Sequence, residues 1–171
     1  KFRTMRMITG LDFGYTNDPT ALVRAYVDEK EMKMYIVEEH YERGMLNSNI
    51  ADMIKYKGLN KTEIVADSAE PKSIDELKKL GITRVKPSTK GQGSVLQGIQ
   101  MIQQYEIIIH PSCENFIVEI SNYAFDKDKK TGKPINKPID DFNHLLDALR
   151  YATQSLLVGR VRVMSTFGLG I

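Results

Sequence analysis

The chain has 171 residues, of which 42% are apolar, and its formal net charge is +2. This length is sufficient for one α/β domain with a substantial core and is short for two domains. A single cysteine excludes an intramolecular disulfide, no run of about 20 apolar residues is present to form a membrane helix, and the small net charge does not by itself indicate a nucleic-acid partner.

The first third of the chain predicts an antiparallel meander. Runs rich in apolar and β-branched residues indicate strands at 5–12, 20–28 and 33–41. The first connection contains Gly14 and Pro19, and the second is a charged turn at 28–31. Short connections join neighbouring antiparallel strands, so we expect three strands in a row.

The rest of the sequence alternates helices with strands. The spacing of apolar residues predicts helices at 46–57, 71–80, 92–104 and 141–158, and strands at 63–67, 82–86 and 106–109. Gly58 and Gly81 stand where the first two helices should end. Strands separated by helices pair in parallel, so the chain predicts an α/β fold with a mixed sheet flanked by helices.

Three aspartates are candidate metal ligands because of their places in this order. Asp12 and Asp67 each end a predicted strand, and Asp147 lies in the first turns of the last predicted helix. An aspartate after a strand is often only a turn former, but these three meet if the strands are neighbours and the helix packs across their ends. Carboxylates that meet repel one another unless a cation lies between them. The pattern therefore predicts a divalent metal site and a metal-dependent phosphodiester hydrolase.

The last predicted helix has an apolar face and a polar face. The apolar stripe contains Phe142, Leu145, Leu149, Ala152 and Leu156. The polar face contains His144, Asp147, Tyr151 and Gln154. His144 lies one turn from Asp147, so it is a candidate both as a metal ligand and as a catalytic group that handles protons. Asp141 is expected to cap this helix or to lie in its first turn.

Two lysine-containing segments are candidate DNA contacts, although a solvated loop is the ordinary alternative for each. Residues 126–137 hold five lysines and two aspartates, a local surplus of +3, and 126–138 predicts a β-hairpin with Thr131 and Gly132 near its tip. Its candidate phosphate contacts are Lys127, Lys129, Lys130 and Lys133. Lys86 and Lys90 precede a predicted helix whose N-terminal amides could help to seat a phosphate.

Four motifs, taken in order, resemble the C-terminal nuclease domain of the large terminase subunit of tailed bacteriophages. They are residues 10–14 (GLDFG), 65–71 (VADSAEP), 90–99 (KGQGSVLQGI) and 143–152 (NHLLDALRYA). The resemblance covers nearly the whole chain. It implies the ribonuclease H-like fold, in which a three-stranded meander is followed by parallel strands.

The resemblance also implies a function. The family's enzymes cut concatemeric double-stranded viral DNA at the start and end of packaging. They use two divalent ions, Mg²⁺ or Mn²⁺. The family's acids match Asp12, Asp67 and Asp147, and His144 stands where some relatives carry a second acid. Two such ions would stabilise charge on both the attacking and the leaving oxygen of a phosphodiester.

The same resemblance implies partners and a location. The expected partners are double-stranded DNA, the portal protein, the small terminase subunit and an N-terminal ATPase domain, and the expected location is the cytoplasm of the infected bacterial host. The chain begins at Lys1 and enters a predicted strand almost at once. We therefore expect residues 1–171 to be a single, monomeric nuclease domain taken from a longer chain.

Three other hypotheses stay open. A different ribonuclease H-like nuclease, such as a junction resolvase, would differ in substrate preference. Residues 12–16 also resemble the first phosphate loop of actin-like sugar kinases. On this hypothesis the chain would be a fragment of an ATP-dependent phosphotransferase and would bind nucleotide. A non-catalytic DNA-docking module would show no cleavage activity.

Overall fold

The computed structural model describes residues 4–157 as a six-stranded sheet covered by helices, with a separate two-stranded hairpin. The strands are β1 (Arg6–Asp12), β2 (Thr20–Asp28), β3 (Lys33–Glu42), β4 (Ile64–Ala66), β5 (Val85–Pro87), β6 (Glu106–Ile109), β7 (Phe125–Lys127) and β8 (Pro134–Pro138). The helices are α1 (Asn47–Tyr56), α2 (Pro71–Lys79), α3 (Ser94–Gln103), α4 (Glu114–Asn122) and α5 (His144–Leu157). None of the helices within residues 4–157 has the length and apolar character that a membrane span requires.

The main sheet is mixed, with the order β5-β4-β1-β2-β3-β6. β1, β2 and β3 form the antiparallel meander, while β4 pairs with β1, β5 with β4 and β6 with β3 in parallel. This topology confirms the predicted fold class. Because β1 and β4 are parallel neighbours, their carboxyl ends lie side by side at one edge of the sheet.

Two apolar cores lie on opposite faces of the sheet. The first joins the sheet to α4 and α5 through residues such as Ile8, Phe116 and Leu149. The second joins the other face to α1 and α2 through residues such as Leu11 and Ile54. Since side chains along a strand alternate between faces, Asp12 shares its face with Ile8 and therefore points toward the α5 side.

Gly10 lets α5 lie directly against β1. A Cβ atom built on Gly10 would stand 1.7 Å from the carbonyl oxygen of Ala148 and 3.2 Å from the Cβ of Ala152. Only a residue without a side chain permits this approach. Asp12 follows two residues later on the same face, so the close packing brings the first turn of α5 to Asp12.

The last helix begins later than the sequence predicts. α5 starts at His144, and Phe142 has a φ of 53°, which lies outside the helical region. Asp141 lies three residues before α5, and its side chain accepts a hydrogen bond from the adjacent Phe142 amide, so the prediction that Asp141 caps the helix or lies in its first turn is wrong. The other four residues of the predicted apolar stripe are buried, as expected: Leu145, Leu149, Ala152 and Leu156.

α4 has no counterpart among the predicted elements. It has nine residues, and its apolar side chains include Ile117 and Val118, which are exposed, beside Phe116, which is fully buried. A short helix with apolar residues on more than one face gives no clear period, so its pattern does not reveal it.

The predicted hairpin is present between α4 and α5. β7 and β8 form an antiparallel pair that is separate from the main sheet. Asp128 closes the turn by accepting hydrogen bonds from the Lys130 and Thr131 amides, and Gly132 takes a φ of 67° beside them. The predicted tip is therefore in the expected place, and the hairpin leads directly toward the start of α5.

Candidate metal centre

The three predicted aspartates line one pocket at the carboxyl edge of the sheet. Asp12 ends β1, and Asp67 follows β4, with its amide donating to the Leu11 carbonyl at 3.0 Å. α5 crosses this edge and brings Asp147 to the same place. The pocket has a volume of about 350 Å³, and the aspartates that line it are Asp12, Asp18, Asp67, Asp140, Asp141 and Asp147, together with His144 and Tyr151. The structure thus assembles from distant segments the cluster expected from the sequence.

Asp12 lies deepest in this cluster and is only 9% exposed. Burial raises its pKa to about 6, and the charges of Asp147 and Asp67 act in the same direction, while the hydrogen bond to His144 opposes them. Burial likewise raises the pKa of Asp147. The cluster therefore holds negative charge that the protein only partly compensates, which is the electrostatic setting of a cation site.

Basic side chains contact each of the three acids. His144 Nδ1 lies 3.4 Å from Asp12 Oδ2, and Lys90 Nζ lies 2.7 Å from Asp67 Oδ1. Arg150 donates from Nε and Nη2 to Asp147 Oδ1 at 3.1 and 3.0 Å. Each of these contacts engages one oxygen of its carboxylate, so the second oxygen of each acid is not used by them.

The donor set fits a divalent cation in its chemistry. Carboxylate oxygens are the ligands that Mg²⁺ prefers, and they also suit Mn²⁺. Within residues 4–157, however, no three Asp, Glu, His or Cys side chains are already arranged around a common point. The acids that could hold an ion are Asp12, Asp67 and Asp147, which line the same pocket.

His144 has both ring nitrogens directed at carboxylates. Nδ1 faces Asp12, and Nε2 lies 3.7 Å from Asp18 Oδ1. The hydrogen bond to Asp12 raises the pKa of His144, which favours the protonated ring. Both ring nitrogens therefore face carboxylates, an arrangement in which His144 could handle protons.

Two further residues of the site are Arg150 and Tyr151. Neither of them is predicted from the sequence to be catalytic or to bind metal. Arg150 is 8% exposed, and its guanidinium carbon lies 4.8 Å from the centre of the Tyr151 ring. Tyr151 lines the pocket, and burial and the neighbouring acids Asp12, Asp147 and Asp67 raise its pKa. The spacing of Asp147 and Arg150, three residues apart on a helix, was the available signal for their pairing.

The predicted DNA-contact lysines lie in three different places. Lys90 is at the acidic cluster, on a loop that is tied to α5 because the Thr89 amide donates to Gln154 Oε1 at 2.7 Å. Lys86 instead pairs with Glu63, 3.0 Å away, and does not line the acidic pocket. The hairpin lysines are exposed: Lys127, Lys129, Lys130 and Lys133.

The sequence of this chain is similar to those of known proteins. A family model described as the terminase RNAseH like domain matches residues 12–155. The terminase large subunit of Bacillus phage SPP1 is 37% identical over 146 residues, which are 84% of this chain and 34% of that protein. The PBSX phage terminase large subunit of Bacillus subtilis is 34% identical over 145 residues, covering 84% of this chain and 33% of that protein. This chain therefore spans about a third of the length of these relatives.

A solved structure extends the comparison to three dimensions. The crystal structure of the g2p large terminase nuclease domain of bacteriophage SPP1, which has bound Mn, superposes with a TM-score of 0.83 at 35% identity. The match covers 90% of this chain and 88% of that one.

Proposed function

Because this chain belongs to the family of ribonuclease H-like nuclease domains of terminase large subunits, we propose that it cuts concatemeric viral DNA during genome packaging. The family expected from the four motifs is thereby confirmed. One observation carries the proposal: Asp12, Asp67 and Asp147 line a single pocket in a chain that closely matches a nuclease domain with bound Mn.

We assign the metal ligands to the three aspartates. Asp12 is the central member, because both other acids act on its pKa and because its strand lies between β4 and β2. The proposal includes two divalent ions, Mn²⁺ or Mg²⁺, which when bound neutralise charge on the attacking and leaving oxygens of the phosphodiester. The aspartates would hold and orient these ions in the polar pocket that they line.

His144 acts on protons in this proposal. Its ring lies between Asp12 and Asp18, and the carboxylates fix its orientation. From this position Nδ1 or Nε2 can take up or release a proton as a phosphodiester bond of the DNA is cleaved. Arg150 holds Asp147 through one oxygen and leaves the other oxygen for an ion.

DNA reaches the site along lysine side chains. We propose that Lys90 at the cluster and the exposed hairpin lysines contact the phosphate backbone, since the hairpin leads into the pocket-lining residues Asp140 and Asp141. Lys86 contributes a weaker contact, because it is paired with Glu63, whereas Lys90 contacts an acid of the cluster itself. Phosphate contacts position the DNA and do not by themselves distinguish one sequence from another.

Removing two hairpin lysines should weaken DNA binding and lower its salt dependence. In the double variant Lys129→Ala/Lys130→Ala, the slope of log affinity against log salt should become about 2 units less steep, since each lost phosphate contact changes it by about 0.9. The measurement is fluorescence anisotropy with a labelled duplex between low and physiological salt. The double variant Lys72→Ala/Lys79→Ala removes the same charge from α2, on the other face of the sheet, and should leave the slope unchanged. Equal slopes in all three proteins would contradict the hairpin contact.

The decisive test of the function is cleavage of supercoiled plasmid by the purified chain. We expect nicking and linearisation with Mn²⁺ or Mg²⁺, none with EDTA, and none from an Asp67→Ala variant with either metal. Failure of the wild-type chain to cut with both metals would favour the docking-module hypothesis. A strong preference for four-way junctions over linear duplex would instead favour a resolvase.

The remaining expectations concern the longer protein. The curated relatives are about two and a half times as long as this chain, which is consistent with an N-terminal ATPase domain in the same polypeptide. We propose that this domain, the portal protein and the small terminase subunit are its partners in the cytoplasm of the bacterial host. The isolated nuclease domain is expected to be a monomer.

A further inference from the structure

We propose that Glu119 is a positioning residue that fixes the first turn of α5, and through it His144 and Asp147, at the metal centre. This inference rests on the proposed function of the site. Glu119 lies on α4, outside the pocket, and it is not a candidate ligand. Its side chain is 3% exposed, which is unusual for a glutamate.

Glu119 supplies the cap that α5 lacks locally. Its Oε2 atom accepts hydrogen bonds from the amides of Leu145 at 2.8 Å and Leu146 at 3.0 Å. The first amides of a helix have no partner within the helix, and here they are buried, so leaving them unsatisfied would be costly. The residues just before α5 do not provide the cap, because Asp141 bonds the Phe142 amide.

The capped amides lie between the two functional side chains. His144 directly precedes Leu145, and Asp147 directly follows Leu146. Any change in the direction of this turn therefore moves both side chains together. Gly10 fixes how closely α5 approaches the sheet, whereas Glu119 fixes where the helix begins and which way its first turn points.

Glu119 is itself held by a second cap of the same kind. The carboxylate of Glu39 on β3 accepts hydrogen bonds from the amides of Asn115 at 3.0 Å and Phe116 at 2.8 Å, at the start of α4. The sheet thus holds α4 through Glu39, and α4 holds α5 through Glu119. The carboxylates of Glu39 and Glu119 therefore connect the metal centre to β3. This strand contributes none of the three aspartates.

The other oxygen of the Glu119 carboxylate makes the cap costly to keep. Oε1 is buried and has no hydrogen-bond partner among the described residues. Burial raises the pKa of Glu119 to about 7, although the Leu146 and Leu145 amides act in the opposite direction. The cap does not depend on ionisation, because Oε2 is an acceptor in either form. A buried polar atom without a partner is retained here at a cost in stability.

The test compares Glu119→Ala with Glu119→Gln in the full chain, with two readouts that do not require cleavage. Amide hydrogen exchange, followed by NMR in EDTA, should speed up at least tenfold at Leu145 and Leu146 in Glu119→Ala and change little in Glu119→Gln, which keeps an acceptor oxygen. Mn²⁺ affinity from calorimetry should fall about tenfold in Glu119→Ala and less than threefold in Glu119→Gln. If Glu119→Ala does not fold, Glu119→Asp, with a side chain one carbon shorter, takes its place.

The matched control is Ile54→Val, a substitution in the core on the opposite face of the sheet. It lowers stability without touching α5, so its Mn²⁺ affinity should equal that of the wild type. Faster exchange in Glu119→Ala with unchanged Mn²⁺ affinity would overturn the inference and reduce Glu119 to a helix cap. A wild-type chain that binds no Mn²⁺ contradicts the proposed function, whereas wild-type binding that survives Glu119→Ala overturns only this inference.

Discussion

Replacing Asp12 with asparagine should abolish metal-dependent DNA cleavage and at the same time make the folded chain more stable at pH 8. Asparagine keeps an oxygen that can accept a hydrogen bond from His144, but it carries no charge to hold an ion. We expect cleavage to fall by a factor on the order of 1000 or more. The gain in stability follows from the burial of the Asp12 carboxylate.

The sign of the stability change comes from the pKa of Asp12. Because its pKa in the folded chain is about 6, above the ordinary value of 3.8, the folded state binds this proton more tightly than the unfolded state does. The contribution of Asp12 to stability is therefore greatest at low pH, declines as the pH rises from about 4 to about 6, and is constant above that. At pH 8 the ionised group costs up to about 3 kcal/mol.

The attraction between Asp12 and His144 is already contained in this pKa, so the figure is an upper limit, which relaxation of the site around the ionised group reduces. We expect Asp12→Asn to unfold about 3 to 6 °C above the wild type at pH 8 in EDTA, which corresponds to about 1 to 2 kcal/mol. At pH 4 the two proteins should unfold at nearly the same temperature. Adding Mn²⁺ should raise the unfolding temperature of the wild type but not that of the variant. A less stable variant at pH 8, or one that still cleaves, would contradict the assignment of Asp12.

Replacing Gly10 with alanine should disrupt the metal centre from outside it. The added methyl group would stand 1.7 Å from the carbonyl oxygen of Ala148, so either β1 or α5 must move. β1 is hydrogen-bonded to strands on both sides, so α5 is the element that shifts. We expect a loss of about 3 kcal/mol in the free energy of unfolding. Cleavage should fall about 100-fold, because a displacement of 1 Å is enough to misalign reacting groups.

Chemical denaturation and the plasmid assay measure these two effects. Gly91→Ala is the matched control, because nothing lies within 4 Å of the added methyl group, and it should change the stability little. The clash involves the backbone of Ala148, so combining Gly10→Ala with Ala148→Gly should not restore activity. Restoration by Ala148→Gly, or normal activity in Gly10→Ala alone, would show that α5 does not press against β1.

The acidic cluster could be predicted because each of its members has a local signature. Asp12 and Asp67 stand where apolar strand residues stop, and Asp147 lies on the polar face of a helix with a clear apolar stripe. Parallel neighbours place their carboxyl ends together, so the first two acids meet because β4 pairs with β1 in the sheet. The roles of these residues remain predictions until the variants are tested.

The surroundings of the cluster could not be predicted in the same way. Glu119 looks in the sequence like an ordinary charged residue in a segment without a clear period, yet it is buried and caps a helix that begins 25 residues later in the chain. The pairing of Lys90 with Asp67 joins a loop to a strand end, and nothing near either residue in the sequence indicates it.

Periodicity and turn chemistry are local properties, so the amino-acid sequence was enough to predict the strands, every helix except α4, the faces on which apolar residues lie and the three acids at the element ends. The folded chain was needed to show which base faces which acid, that α5 packs against Gly10, and that Glu119 accepts hydrogen bonds from the first turn of that helix. These are contacts between segments far apart in the chain. Their geometry depends on how whole elements pack, which no short stretch of sequence specifies.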